Sequence, residues 1–282
     1  MVDHTETCAL GCFTDGSRCF AVTPSNGLGA ALDQSAQQGA ITLPAGAVVD
    51  SDTGAVTSAQ QAPIVVTTLT VAQTGGATLR VLLARSWTIS DVRVRGSLPV
   101  AFVSSDDINI QGAIDVSADG NTSGAGALTC GAGTGGGGAP SDAHFERPPA
   151  GSSTGYPAFI WVTNGFGGGG FGSSGGAGGA EYTLSPPGPA GQANGNAELV
   201  PLRGGCEGGG DMAQNRGAGG GAVQLVSGRT VHLLTGGVIH VGGGRGAAGA
   251  LGRISTSDTT PVFGPSGGGS GGGILIEAPS VV

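Results

Sequence analysis

Between residues 219 and 244 the chain alternates apolar and polar positions in three short runs, 222–226, 230–234 and 238–241, each bounded by glycine or turn residues. Val223 and Leu225, Val231 and Leu233, and Ile239 and Val241 fall on one side; Gln224, His232 and His240 fall on the other. A period of two is that of a strand with one buried face. Three such strands within about 20 residues leave no room for crossover helices, so they predict one coil of a stacked parallel structure.

The same spacing recurs elsewhere. Leu79, Val81, Trp87, Ile89, Val92 and Val94 precede Val100, Phe102, Ile108, Ile110, Ile114 and Val116 by 21 or 22 positions. Val223, Leu225, Val231 and Leu233 follow Val100, Phe102, Ile108 and Ile110 by 123 positions, and Ile274, Ile276 and Val282 follow Val223, Leu225 and Val231 by 51. These offsets predict an all-β fold, a parallel β-helix (solenoid), taken as right-handed because that is the common form. Leu28, Ala31, Leu32 and Ala36 have helical spacing and predict an N-terminal helical cap over the open solenoid end, where strand edges would otherwise be unpaired.

Seven segments follow: a cysteine-bearing head, 1–22; the helical cap, 23–40; β-helix coils, 41–116; a glycine-rich insertion, 117–221; a coil, 222–241; a second glycine-rich insertion, 242–273; and a truncated final coil, 274–282. Both insertions leave after the third strand of a coil. Insertions at equivalent positions of a solenoid project on one side and form its binding face. Two expectations stand for the runs 135–138, 167–170 and 175–179. They are flexible linkers, or they pack side by side as polyglycine-type extended strands that hydrogen-bond to one another. The strand-like run 159–162 and the phenylalanines Phe166 and Phe171 favour order.

Composition narrows the partners. Glycine supplies 60 of 282 residues without a sustained Gly-X-Y period, which excludes collagen. Net charge is −8, with eleven cationic residues that are all arginine. An acidic, lysine-free surface argues against nucleic acid and anionic membranes and excludes the lysine of a phosphate-binding loop. The N-terminus lacks the basic and apolar regions of a signal peptide, so a mature form or an incomplete reading frame is expected, and secretion or surface display is inferred from composition. The five cysteines predict disulfides in an oxidising compartment, Cys130 with Cys206 and two of Cys8, Cys12 and Cys19, leaving one thiol.

Chemical motifs are few. Gly131, Gly133 and Gly136 match a dinucleotide-binding pattern with no helix to follow, and two G-x-S-x-G matches fall in glycine-rich text, so neither predicts a site. Asn121-Thr122-Ser123 is a formal glycosylation sequon. Asp106, Asp107, Asp115 and Asp119, with Asp91 one coil earlier, are the acids that a β-helical polysaccharide lyase or hydrolase would use as catalytic groups, with Ca2+ as its cofactor. The competing expectation is that they are solvated turn residues. Asp142, His144, Glu146 and Arg147 form the densest polar knot, expected to be a salt-bridged loop. His232 and His240 lie on different strands and predict no shared metal.

The cysteine-bearing head, the segment Thr23-Pro24-Ser25-Asn26-Gly27, the entry Leu43-Pro44-Ala45-Gly46 and the run 267–279 resemble glycine-rich surface proteins or lipoproteins of large GC-rich bacterial genomes. The resemblance implies a location and not a reaction. The leading expectation is a non-enzymatic secreted or cell-surface structural or adhesive protein that needs no cofactor. Its partners would be cell-surface or matrix polymers, including polysaccharide, with self-association through the open C-terminal coil. The alternatives are the carbohydrate-active enzyme described above and an ice- or crystalline-surface-binding protein.

Overall fold

A computed structural model describes residues 8–16, 18–132, 136–139, 144–146, 160–162, 164–179, 186–210, 216–249 and 264–282. Its elements are one helix, α1 (Gly29–Ser35), and seventeen strands. The first ten are β1 (Ala40–Leu43), β2 (Ala47–Asp50), β3 (Val56–Thr57), β4 (Thr67–Val71), β5 (Leu79–Ala84), β6 (Ser86–Ile89), β7 (Val92–Arg95), β8 (Val100–Ser104), β9 (Ile108–Ile110) and β10 (Ala113–Asp115). The rest are β11 (His144–Glu146), β12 (Ile160–Val162), β13 (Ala222–Ser227), β14 (Thr230–Leu233), β15 (Val238–His240), β16 (Gly273–Glu277) and β17 (Ser280–Val281).

Three five-stranded sheets are built from strands distant in sequence, in the orders β1-β6-β9-β14-β17, β15-β10-β7-β2-β3 and β16-β13-β8-β5-β4. Strand pairing inside them is parallel except at β3 and β4, which close two edges antiparallel. The pair β11 and β12 stands apart, antiparallel.

The expected right-handed parallel β-helix with an N-terminal helical cap is corrected by this arrangement of separate sheets. A solenoid requires near-equal coils and a cover across its end. Here antiparallel strands finish two sheets, and long glycine-rich segments separate β10 from β13 and β15 from β16. The single helix does not cross an end: it lies against β5 and β8, with Ala31 and Leu32 buried in the apolar layer on the outer face of their sheet.

Two apolar layers explain the strand sequences. Inside the three sheets, Leu82, Trp87, Ile89, Phe102, Ile108, Ile110, Ile114, Leu225 and Val231 form one buried cluster. On the outer face of the β5-β8-β13 sheet, Leu79, Val81, Leu83, Ala101, Val103, Ala222 and Val226 pack under Phe13, Leu28, Leu32 and Leu202. Strands β8 and β13 are therefore buried on both faces, whereas β9 alternates. Double burial also moved one register. The 21-residue offset would place Leu79 on Val100, but the ladder pairs Arg80 with Val100 and Leu82 with Phe102. With apolar residues on both faces, alternation could not tell which set points inward, and a one-residue slip exchanges the faces. At the other end Val281, not Val282, pairs with Val231. The 123-residue offset holds, with Val223 on Val100, Leu225 on Phe102 and Val231 on Ile108.

A polar clasp joins the beginning of the fold to the end of β16. Glu277 accepts hydrogen bonds from the Ser25 backbone and hydroxyl and from Gln224 Nε2, at 2.9, 2.6 and 2.6 Å. Asn26 donates to Gln224 Oε1 and to the Leu199 carbonyl, so residues more than a hundred positions apart are tied together.

The inner layer turns on Phe102, whose ring meets Trp87 edge to face at 5.5 Å between centroids, both side chains fully buried. Phe102→Ala is expected to lower unfolding stability by about 3–5 kcal/mol, read by denaturant titration. Val65→Ala, at a side chain 93% exposed, is expected to stay within about 0.5 kcal/mol of the parent.

Candidate functional site

The glycine-rich segments hydrogen-bond to one another with a period of three. Gly165 and Gly168 donate to the carbonyls of Gly179 and Gly176, and Phe166 and Gly169 donate to those of Pro265 and Gly268. Gly188 and Gly191 donate back to Gly165 and Gly168, and Gly217 and Gly220 donate to Gly267 and Ser270. A three-residue repeat, with partners between segments and not within them, is the signature of the extended left-handed helix with three residues per turn. Residues 164–170 are central: they exchange bonds of 2.8–3.0 Å with neighbours around 138, 176–179, 188–191, 209 and 265–268.

Glycine is required there by proximity. A methyl on Gly167 would overlap the Pro189 carbonyl oxygen, whereas one on Gly172 would meet nothing within 4 Å. The bundle is fastened at three places. Cys130 and Cys206 form a disulfide, which by loop entropy restricts the unfolded chain by about 4–5 kcal/mol. Ser270 accepts from the Cys206 amide at 2.8 Å, and Glu207 accepts from the Cys130 amide at 3.0 Å while facing Arg216 at 3.6 Å. The bundle joins the sheets through residues 219–221: Gly124 donates to Gly219, Gly205 to Gly220, and Gly221 to Val116.

The four sequence-singled acids are not brought together. Asp106 and Asp107 lie between β8 and β9; Asp115 ends β10; Asp119 is exposed in the turn that bonds to Thr122. Asp91 accepts from the Ala113 amide at 2.9 Å, tying the connection between β6 and β7 to the start of β10. Asp115 is half-buried and bonded to Arg93 and to the Ser117 amide. Burial opposes its charge, but the Ser117 backbone and hydroxyl donors and the Arg93 guanidinium outweigh burial and hold its pKa below the ordinary carboxylate value. At Asp50 the Thr53 amide is the main cause of a similar lowering. His232 is half-buried on β14 and His240 exposed on β15, in different sheets. Of the polar knot, Asp142 and Arg147 lie outside the described residues, as do the side chains of His144 and Glu146.

Asp106 lines a cleft. Its carboxylate meets Arg18 at 2.9 Å and Arg85 at 3.0 Å, in an opening of about 290 Å³ also lined by Asp15, Ser105 and Arg229. Ser104 and Ser227 brace this corner by donating to the carbonyls of Arg85 and Asp106. Sequence reading missed the arginines, yet the signal was present. Arg85, Asp106 and Arg229 are separated by 21 and 123 positions, the offsets that align the strands. With the Arg85 side chain 64% exposed, its ion pair contributes little to stability. A second recess of about 140 Å³, lined by Asn121, Ser123, Thr129, Glu207 and Arg216, borders the glycine bundle. No protein-family model, characterised protein or solved structure matches the chain.

Gly167→Ala is expected to speed amide hydrogen exchange across 164–170 and 188–191 by at least about tenfold, with β8 and β13 unchanged; Gly172→Ala is expected to leave both alone. Because the Asp115 pKa is lowered in the folded state, the stability it contributes is complete above the ordinary carboxylate range and is lost as pH falls through the lowered value. Asp115→Asn should therefore lower the melting temperature at pH 7 and narrow its difference from the parent at pH 3, measured by calorimetry.

Proposed function

We propose that the protein is a non-enzymatic structural or adhesive protein of the cell exterior, and that the hydrogen-bonded glycine bundle is its working surface for cell-surface or matrix polymers. The observation that carries this reading is the bundle itself. Several segments distant in sequence are held in one lattice by main-chain bonds and a disulfide, which gives a rigid surface nearly free of side chains. Such a surface loses little side-chain entropy on binding and lets an extended polymer approach the backbone closely. The acids support the same reading, since Asp106 and Asp115 are occupied by arginines. Two disulfides suit an oxidising exterior, and the resemblance to glycine-rich bacterial surface proteins points to the same place.

The test is cosedimentation of the purified chain with insoluble polysaccharides, namely cellulose, chitin and peptidoglycan. Retention on at least one of them, reduced at least about fivefold by Gly167→Ala and unchanged by Asp106→Asn, is the expected result. Release of soluble sugar that disappears in Asp106→Asn would replace this reading with an enzymatic one. Retention on none would remove polysaccharide as the partner.

A further inference from the structure

The head, residues 8–20, holds three sulfur atoms close together. Cys8 and Cys19 are bonded, with Cα atoms 5.1 Å apart, and the Cys12 thiol is free and exposed. All three Sγ atoms lie within 4.8 Å of one another. With two of the sulfurs already joined, Cys12 is the one thiol in the cluster, and its nearest chemical partner is a disulfide.

The backbone also favours a second pairing. Cys12 stands directly opposite Cys19 across an antiparallel bridge. The flanking hydrogen bonds run from Phe13 N to the Arg18 carbonyl at 3.1 Å and from Phe20 N to the Gly11 carbonyl at 2.9 Å. Those bonds make Cys12 and Cys19 a non-hydrogen-bonded pair, whose Cα atoms are typically about 4.5 Å apart. Disulfides span about 4.4–6.8 Å between Cα atoms, so the bridge Cys12–Cys19 needs no rearrangement of the main chain. The anchors of the head lie elsewhere. Phe13 is 2% exposed, its ring tilted against that of Phe20 at 4.4 Å between centroids and lying under Arg18, and Thr14 donates its amide to Asp33 at 2.7 Å. Exchange of sulfur partners leaves all of these in place.

We infer that the head is a thiol–disulfide exchange site in which Cys12 attacks the Cys8–Cys19 bond, so that Cys12 and Cys8 alternate as the reactive thiol. Cys12 gives its proton to solvent; its thiolate bonds to Cys19 Sγ as the Cys8–Cys19 bond breaks, and the electron pair leaves on Cys8, which takes up a proton. One disulfide and one thiol are present before and after, and no oxidant or reductant is consumed. Since the thiolate is the attacking form, exchange quickens as pH rises. The product puts a nucleophilic thiol on Cys8, where the chain enters the head, so the site presents a thiol for mixed-disulfide formation from either of two positions. This inference does not depend on the glycine surface.

The experiment traps the full-length protein with N-ethylmaleimide after incubation at pH 8 and locates the label by tandem mass spectrometry. Label on both Cys12 and Cys8 is expected, with none on Cys130 or Cys206; label confined to Cys12 would overturn the inference. Two variants oxidised in parallel in the same glutathione redox buffer give a second reading. Cys12→Ser should form Cys8–Cys19, and Cys8→Ser should form Cys12–Cys19, each with no labelled thiol. If Cys8→Ser kept two labelled thiols while its Cys130–Cys206 bridge formed, the cross-strand pairing would be wrong and the inference with it.

Discussion

The structure depends on main-chain hydrogen bonds between extended segments that have almost no side chains. Glycine loses more backbone entropy on ordering than any other residue and has no side chain whose burial offsets the loss. A run such as 167–170 is therefore ordered only when each amide finds a carbonyl on a neighbouring segment. The three-residue repeat arranges this by turning successive amides toward different neighbours, so one segment bonds to several. Because contact is backbone to backbone, the spacing excludes even a methyl group at Gly167. The lattice is thus collective: no segment can stay without the others, and the Cys130–Cys206 bridge keeps two of them close before the bonds form.

The sheets supply what the glycines lack. Their apolar layers are wide enough to bury Trp87, Phe102 and a set of leucines, isoleucines and valines completely. They hold residues 219–221 at the end of a fully buried strand, β13, so the bundle grows from a rigid base. The link runs both ways. Gly221 and Ala222 donate to the carbonyls of Val116 and Ala125, which ties the start of β13 to the segment that leaves β10.

Charge is used sparingly and locally. Among the described residues arginines meet carboxylates across neighbouring segments, as Arg85 and Arg18 do at Asp106 between strands, and Arg93 at Asp115 on the paired strands β7 and β10. Aligned corners place like positions from distant segments side by side, so charge of alternating sign along the column at Arg85, Asp106 and Arg229 avoids repulsion between layers. Asp106 and Asp115, which suggested catalysis in the linear sequence, serve in this setting as partners for arginines.

The linear sequence by itself determined that β13 and β14 lie beside β8 and β9. The 123-residue offset, read from Val100, Phe102, Ile108 and their later counterparts, reproduces ladders that cross more than a hundred intervening residues, because a buried face imposes a period of two wherever it occurs. It also placed the cysteines near the two ends of one glycine-rich insertion, although which two of Cys8, Cys12 and Cys19 bond was left to the fold. Tertiary structure alone decided three things. It set the inner and outer faces of β5, where apolar residues on both sides erase the alternation; it placed α1 on the flank of a sheet instead of across its end, because helical spacing states that a face is buried but not against what; and it matched the glycine segments to one another. Glycine text carries no side-chain pattern from which a partner could be read, so only the spatial meeting of carbonyl and amide could choose among neighbours.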